Sequence, residues 1–520
     1  MSDFDDIDDI EFDEDDALDI DTFRDNLNYN ILPDKSSMNY HGLFHGYYWP
    51  LDQSKIESES LIGVYCENSI SQDPLDEQKR EFFTSVMLYS KYDGKELKKI
   101  GRPKLNLMIV LDISGSMSDG FADPRDSFDY DQYYSNTEKT QSKLEIAKQA
   151  IFGLLGNLNS EDNFGMIVFD DQTDTILNIT PWDEVDKERL NKSIKELHPR
   201  GGTNMSAGIK EAGIQLKEFI QKNPEKSTDK NIRIFFLTDA QPNTGDFSSQ
   251  GLFGIVSKLS SEGFFFTFIG VGLDFNTELA NTLIKTQGAS YLTVNNATEF
   301  TRRMNEDFDF IVTQIAFDLT IKIEGADIMN FYGSTNYEDS YVKSGQNIVE
   351  LTSVSPSNTN EQNERQGGVF LLKMSDSVAD GIPFRLLISF KDREGKTHQI
   401  IQEISFVDLL NQMEQNSHIF KGVLSRKLIL LTRYASEIRS ILGSGSVNQQ
   451  AKERLKKFKN HFVSEMKDIG DSSLDREIVM IDKLLEFGEN QNDNQNDNQN
   501  DDDDDIDDDD DDDIDDNYDI

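Results

Sequence analysis

The stretch 105-LNLMIVLDISGSMSDG-120 joins an apolar run to a short polar segment whose side chains could bind a cation. The polar segment contains Asp112, Ser114 and Ser116, which follow one another at intervals of two. Residues at this spacing in an extended backbone project to the same side of the chain. One carboxylate and two hydroxyls could therefore face a common point.

Two later segments carry further oxygen donors. The segment 200-RGGTN-204 precedes a helical pattern, and 237-LTDAQPNTG-245 contains the end of a strand-like run. With the first segment they offer two carboxylates and three hydroxyls, which are hard oxygen ligands suited to Mg²⁺, Mn²⁺ or Ca²⁺ rather than Zn²⁺. Five side chains cannot complete an octahedron, so a position remains for water or an outside ligand. The candidate metal ligands are Asp112, Ser114, Ser116, Thr203 and Asp239.

Alternating strand-like and helical patterns between residues 104 and 314 would place these segments at one edge of a sheet. Four of the six strand-like runs are continuously apolar, as strands covered by helices on both faces are. The pattern predicts an α/β fold with a doubly wound, mostly parallel six-stranded sheet, whose ligands bind where the strand order switches. The predicted strands are 105–111, 164–169, 174–179, 232–238, 264–272 and 290–294, and the predicted helices are 140–158, 184–197, 205–221, 248–261, 276–286 and 297–312.

The three segments resemble the metal-ion-dependent adhesion site of von Willebrand factor A domains. Asp-x-Ser-x-Ser, a distant Thr in a Gly-Gly-Thr-Asn turn, and Thr-Asp after a buried strand are the shared features. The resemblance implies that Ser114, Ser116 and, in a ligand-bound state, Thr203 coordinate the cation directly. It also implies that Asp112 and Asp239 act mainly through waters.

That resemblance covers about residues 104–312, and the wider chain is similar to intracellular or bacterial A-domain proteins with a flanking β-sandwich. Strand-like alternation with turn punctuation in 40–100 and 315–408 predicts antiparallel β structure. Because these two regions flank the α/β domain at 104–314, we expect them to pair into one sandwich with that domain inserted.

The remaining segments differ in composition. Residues 1–35 are acid-rich with scattered apolar side chains, and 488–520 are rich in Asn and Asp, so both are predicted to be disordered. Helical periodicity predicts a helical or coiled-coil segment over 410–486, with one helix at 419–442 and another near 447–467.

Charge and cysteine content exclude several classes of protein. The formal net charge is −46, and residues 1–22 and 491–520 supply 12 and 17 acidic side chains with no basic ones. Nucleic acid is not an expected partner, because affinity for phosphates depends on Lys and Arg. The single cysteine, Cys66, excludes a disulfide framework and multi-cysteine zinc modules such as the RING of ubiquitin ligases.

Targeting features are also absent from the printed sequence. The first residues, MSDFDDIDDI, lack the basic and then apolar pattern of a signal peptide. The longest apolar runs, such as 264–273, are too short to span a bilayer. These features predict a soluble, cytoplasmic protein.

No catalytic motif accompanies the polar segments, so we do not expect an enzyme. A haloacid-dehalogenase-like phosphatase would need a second Asp where this chain has Ser114. A serine hydrolase would need Gly-x-Ser-x-Gly and a His partner, which surround neither Ser114 nor Ser116. The Gly-rich loop of ATP-binding proteins is also missing. A polar loop that only caps a helix remains the structural alternative.

The preferred functional hypothesis is a scaffold whose bound divalent cation holds an Asp or Glu of a partner protein. One alternative is a subunit that recruits partners to an AAA-type ATPase or another enzyme complex, although no motor motif is present. A further alternative is extracellular adhesion. The acidic, Tyr-rich insert at 118–141 is expected to overhang the site, either as a mobile surface loop without a binding role or as a loop that influences the choice of partner.

Overall fold

Strands and helices alternate in the central part of the chain, and strands dominate on either side of it. The computed structural model describes residues 20–28, 30–52, 54, 59–120, 141–227, 229–239, 242–246, 248–271, 279, 282–283, 285–294, 304–333, 348–413 and 418–487. In chain order the strands are β1 Tyr48–Trp49, β2 Gly63–Asp73, β3 Asp76–Tyr89, β4 Leu105–Asp112, β5 Asn163–Phe169, β6 Thr173–Pro181, β7 Asn231–Thr238, β8 Phe264–Val271, β9 Ser290–Val294, β10 Ala316–Glu324, β11 Ile328–Tyr332, β12 Ile348–Val354, β13 Arg365–Gln366, β14 Val369–Met374, β15 Phe384–Lys391, β16 Thr397–Ile404 and β17 Ile419–Phe420. The helices are α1 Ile20–Asn28, α2 Tyr40–His45, α3 Lys95–Ile100, α4 Lys143–Leu155, α5 Lys187–Lys195, α6 Met205–Lys222, α7 Pro224–Ser227, α8 Ser249–Ser261, α9 Phe308–Ile311, α10 Val407–Gln412, α11 Val423–Leu442, α12 Gln449–Ile469 and α13 Asp475–Glu486.

The central sheet has the strand order β6-β5-β4-β7-β8-β9. Its neighbours are parallel except for the antiparallel pair β5 and β6. Side chains of β4 alternate between two helical layers: Leu107 and Ile109 pack with α4 and α5, whereas Met108 and Val110 pack with α6 and α8. The predicted doubly wound, mostly parallel sheet is therefore confirmed, and its strand order switches between β4 and β7.

The β regions before and after this domain form a single sandwich. One sheet has the order β11-β14-β3-β2-β17 and therefore mixes early and late strands, and the other has the order β12-β10-β15-β16. Buried side chains from the two sheets, such as Phe82 of β3 and Leu386 of β15, belong to one core. The central α/β domain is thus inserted between strands of the flanking sandwich.

Helices cover the other face of the five-stranded sheet. Tyr65 and Met87 point away from the sandwich core and pack with buried residues of α1, α2, α11, α12 and α13. Among the described residues no helix is both long and apolar enough to cross a membrane.

The first helix corrects the prediction of disorder for residues 1–35. Residues 1–19 lie outside the described part of the chain, but Ile20–Asn28 form α1. Ile20, Phe23 and Leu27 are buried because they share one helical face that packs against the carboxy-terminal helices. The acidic composition of this region concealed a short amphipathic segment.

The predicted helix at 419–442 begins later than its periodicity indicates. Ile419 and Phe420 instead form β17, which pairs with β2, and helix α11 begins at Val423. Gly422 has an extended backbone that separates the two elements, and Ser425 N donates to Glu67 Oε2 at 2.9 Å, which stabilises the helix start. An unpaired sheet edge therefore recruits residues that a local pattern assigns to the helix.

Candidate metal centre

The three polar segments meet at the carboxyl edge of the central sheet. Asp112 is the last residue of β4, and Asp239 directly follows Thr238, the last residue of β7. These strands are parallel neighbours on either side of the switch in strand order. Thr203 lies in the loop that leads into α6. The fold therefore brings the candidate residues to the position where doubly wound sheets bind ligands.

Hydrogen bonds join the three segments to one another. Gly115 N donates to Gly201 O at 3.1 Å, which ties the first segment to the second. Asn243 N donates to Thr203 O at 3.1 Å, and Thr203 N donates to Asn243 Oδ1 at 2.8 Å. The loop after β7 is thereby tied to the loop before α6, so the site is built as one unit.

The turn at Gly201 and Gly202 depends on the absence of side chains. Gly201 has φ +67°, in the left-handed region, and an added Cβ would lie 2.8 Å from Asp171 Oδ2. A Cβ on Gly202 would lie 2.6 Å from Asp171 Oδ1 and 2.8 Å from Asn243 Oδ1. Glycines at both positions therefore allow the loop to approach its neighbours closely enough to bring Thr203 into the site.

Asp112 is fully buried and held in place by two hydrogen bonds. Its Oδ1 accepts from Ser114 N at 2.8 Å, and its Oδ2 accepts from the Thr238 hydroxyl at 2.6 Å. The pKa of Asp112 is raised to about 7, mainly by burial and also by the nearby charge of Asp239, while hydrogen bonds from Ser114 and Thr238 oppose the rise. The site thus concentrates negative charge in a place with little solvent.

Two hydroxyls lie beside this carboxylate. Ser114 Oγ and Ser116 Oγ are 3.1 Å apart, within hydrogen-bonding distance. Ser114 is buried and Ser116 is half-buried, so the second hydroxyl lies nearer to the surface. A pair of neutral hydroxyls at this separation can direct lone pairs toward a shared cation.

Asp239 supplies the strongest indication that the site fits a cation. The residue is fully buried, and its Oδ1 has no hydrogen-bond partner among the atoms that the structure describes. Its Oδ2 lies 3.2 Å from the ammonium group of Lys143. A buried carboxylate oxygen without a partner is costly, and a hydrated divalent cation would satisfy it. The donor set therefore fits a hard cation.

The site differs from the carboxylate- and imidazole-rich centres that bind many other metals. In the described part of the chain, no group of three or more His, Cys, Asp and Glu residues could hold a metal ion. The two carboxylates Asp112 and Asp239 are supplemented here by hydroxyls from Ser114, Ser116 and Thr203. All five residues lie in the three joined segments, and their coordination of a cation stays a prediction.

Local sequence patterns did not identify two neighbours of the site. The sequence presents Thr238 only as part of a Thr-Asp pair, yet in the structure its hydroxyl donates to Asp112 Oδ2 and fixes the orientation of that carboxylate. Lys143 begins α4 and is buried beside Asp239, although it follows an acidic insert that suggests an exposed position. The one signal in the sequence is that Lys143 begins the first amphipathic helix after the 112-DISGS-116 segment, which places it near that segment.

The insert leaves and rejoins the described chain next to the site. Gly120 and Ser142 form an isolated antiparallel bridge, and Lys143 N donates to Asp119 O at 3.0 Å. Residues 121–140 lie outside the described residues, so the expected overhang at 118–141 stays a prediction.

Comparisons with known proteins agree with this architecture. The family model described as von Willebrand factor type A domain matches residues 107–241. An uncharacterized protein of Synechocystis sp. is 30% identical over 145 residues, which are 28% of this chain and 27% of that protein. This chain thus spans about a quarter of the length of that relative.

Solved structures are similar at lower identity. A von Willebrand factor type A protein from Catenulispora acidiphila has 12% identity and a TM-score of 0.43, with 78% of this chain and 87% of that chain covered. Proximal thread matrix protein 1 from the mussel byssus, in a structure with a zinc-occupied adhesion-site motif, has 18% identity and a TM-score of 0.27. That match covers 41% of this chain and 49% of the mussel chain.

Domains of this family generally mediate protein interactions and commonly bind a metal ion at the adhesion-site motif. The matched segment contains the whole candidate metal centre and most of the central sheet. The chain therefore contains a von Willebrand factor type A domain, flanked on both sides by β-sheet regions.

Proposed function

We propose that the type A domain of this chain is a cation-dependent protein-binding site without catalytic activity. The resident cation is Mg²⁺, with Mn²⁺ or Ca²⁺ as alternatives, and a partner protein supplies an Asp or Glu carboxylate. The observation that carries the proposal is the buried Oδ1 of Asp239, which has no hydrogen-bond partner among the described residues and lies where three oxygen-rich segments meet. When bound, the cation supplies a Lewis-acidic position for that carboxylate.

Hydroxyl donors would leave much of the cation's charge available to the partner. Ser114, Ser116 and Thr203 are neutral, so direct coordination by them does not compensate that charge. Asp112 already accepts hydrogen bonds at both of its oxygens, which fits a role through bridging water. Ser114 Oγ lies 3.1 Å from Ser116 Oγ, so the two hydroxyls are close enough to share one cation, which supports a binding role.

Affinity purification followed by mass spectrometry tests this proposal. Full-length protein is used as bait in buffer with Mg²⁺, in buffer with EDTA, and as the variants Asp112→Ala and Thr203→Ala. We expect one set of partners to be lost on chelation and in both variants. An AAA-type ATPase in that set would favour the alternative of a recruiting subunit.

Matched controls remove the same chemical groups far from the site. Asp408→Ala in α10 and Thr397→Ala in β16 alter exposed residues and should retain every partner. Calorimetric titration with Mg²⁺, Mn²⁺, Ca²⁺ and Zn²⁺ would identify the preferred cation. The acidic terminal segments are identical in all variants, so their background binding cancels. Partners that persist in EDTA and in both site variants would contradict the proposal.

A further inference from the structure

A buried lysine contacts the candidate metal centre. Lys143 is the first residue of α4, and its side chain is only 4% exposed. Its Nζ lies 3.2 Å from Asp239 Oδ2, and Asp239 is itself fully buried. A lysine is rarely buried unless its charge is compensated, so this ion pair is a built feature of the site.

The ion pair changes the charge that the site presents to a cation. When Asp112 and Asp239 are both ionised, they carry two negative charges, and Lys143 compensates one of them. Arg200 lies close to Ile113 in space, because its backbone N donates to Ile113 O at 2.7 Å, but its guanidinium is held by Asp170 and Asp174. A bound divalent cation would therefore bring the three buried groups to a net charge of plus one. Without Lys143, the two carboxylates alone would balance the cation.

We propose that Lys143 sets the specificity of the site for an acidic ligand. This inference rests on the proposed function and deepens it. By compensating Asp239, Lys143 weakens the affinity of the site for the cation and leaves the loaded site one positive charge in excess. The excess charge is neutralised when a partner carboxylate binds, so the loaded site favours anionic ligands over water. The charge of Lys143 acts strongly on the site because both Lys143 and Asp239 are buried, so little solvent screens the interaction.

The proposal predicts opposite changes in two affinities when the lysine charge is removed. In Lys143→Met, the protein should bind Mn²⁺ at least about tenfold more tightly, because the repulsion between the ammonium and the cation is gone. The same variant should bind acetate to the Mn²⁺-loaded site at least about tenfold more weakly. Free Mn²⁺ is measured by electron paramagnetic resonance, and acetate is followed by loss of the Mn²⁺-enhanced relaxation of water protons.

Two controls separate charge from structure. Lys143→Arg keeps the charge and should retain the ratio of the two affinities. Lys148→Met removes another buried lysine of α4, which bonds to Leu197 O at 2.7 Å and lies outside the site. It should change neither affinity. If Lys143→Met does not fold, Lys143→Gln removes the same charge while keeping a polar side chain.

The outcomes distinguish this inference from the function on which it rests. If the wild-type protein shows no Mn²⁺ binding that Thr203→Ala weakens, both the proposed function and the role of Lys143 are overturned. Thr203-sensitive binding in the wild type, with weaker or unchanged Mn²⁺ affinity in Lys143→Met, would overturn only the role of Lys143. A purely structural lysine would weaken both affinities together, and that result also contradicts the proposal.

Discussion

The hydroxyl of Thr238 shows how one side chain orients the candidate metal centre. It donates to Asp112 Oδ2 at 2.6 Å, and both residues are buried. Thr238→Val preserves the shape of the side chain but leaves that oxygen unsatisfied. We expect a loss of about 1–3 kcal/mol in the free energy of unfolding, measured by urea denaturation without divalent cations. Thr397→Val on the exposed edge strand β16 is the control, and equal stability of the two variants would contradict this role.

Gly201 provides a second test at the scale of single residues. Gly201→Ala introduces both a strained positive φ and a close contact with Asp171 Oδ2. The contact should displace the Thr203 loop and weaken Mg²⁺ binding, measured by calorimetry, in addition to lowering the stability by about 1–2 kcal/mol.

Gly263 offers the matched control for that substitution. Its φ is +86°, and an added Cβ would meet no atom within 4 Å. Gly263→Ala should therefore show the loss of stability from backbone strain and retain the Mg²⁺ affinity. If both variants bind Mg²⁺ as the wild type does, close packing at Gly201 does not position the site.

At the scale of elements, the helical layer contains a histidine that should make stability depend on pH. Burial lowers the pKa of His461 in α12 to about 4, with Arg433, His418 and Arg426 adding to the effect and Glu465 opposing it. Above the ordinary His pKa near 6.5 the folded and unfolded chains are both neutral at this residue. Between about pH 6.5 and 4 the unfolded chain gains a proton first, so this residue destabilises the fold as the pH falls.

The variant His461→Gln isolates that contribution. Its free energy of unfolding should fall less steeply between pH 6.5 and 4 than that of the wild type, as measured by denaturation at several pH values. His198→Gln, at an exposed position outside this layer, should follow the wild-type profile. Parallel profiles for all three proteins would exclude a role for His461 in acid sensitivity.

At the scale of the whole molecule, the two ends of the described chain stabilise one another. Phe23 of α1 belongs to the buried core that also contains α11, α12 and α13, and Arg24 Nη2 lies 2.6 Å from Glu477 Oε1. Phe23→Ala should lower the free energy of unfolding by about 3–5 kcal/mol, because it leaves a cavity in this core.

Hydrogen exchange would locate that effect. In Phe23→Ala, amides of α11 and α13 should exchange faster, because α1 no longer packs tightly on the helical layer. Phe265→Ala in β8 is a comparison at a half-buried phenylalanine of the central domain, where we expect a smaller effect on those helices. Unchanged exchange in the carboxy-terminal helices would contradict the packing of α1 against them.

The inserted domain is held to its surroundings at both of its ends. Arg102 Nη2 pairs with Asp162 Oδ2 at 2.5 Å where the chain enters, and both side chains are buried. Arg233 Nη1 donates to Gln314 Oε1 at 2.8 Å where it leaves. Burial lowers the pKa of Arg233 to about 9, and its guanidinium donates to neutral oxygens such as Gly288 O and Gln314 Oε1. The inserted domain is thus anchored by contacts between residues that are far apart in the sequence.

The sequence by itself determined the fold class and the chemistry of the candidate site. Buried strands are recognisable because their apolar runs are local, and the motif residues are recognisable because their spacing is short. The order of strands and helices then requires Asp112 and Asp239 to lie at the same sheet edge. The ligand role of those residues remains a prediction that the experiments above address.

Only the tertiary structure decided which distant side chains complete the site and the core. Lys143 meets Asp239 across 96 positions, Thr238 meets Asp112 across 126, and Arg24 meets Glu477 across 453. Such contacts arise from the packing of separate elements and leave no periodic pattern in the chain. For the same reason the sequence predicts disorder where the structure has α1, since the apolar face of this helix is recognisable only beside the helices that bury it.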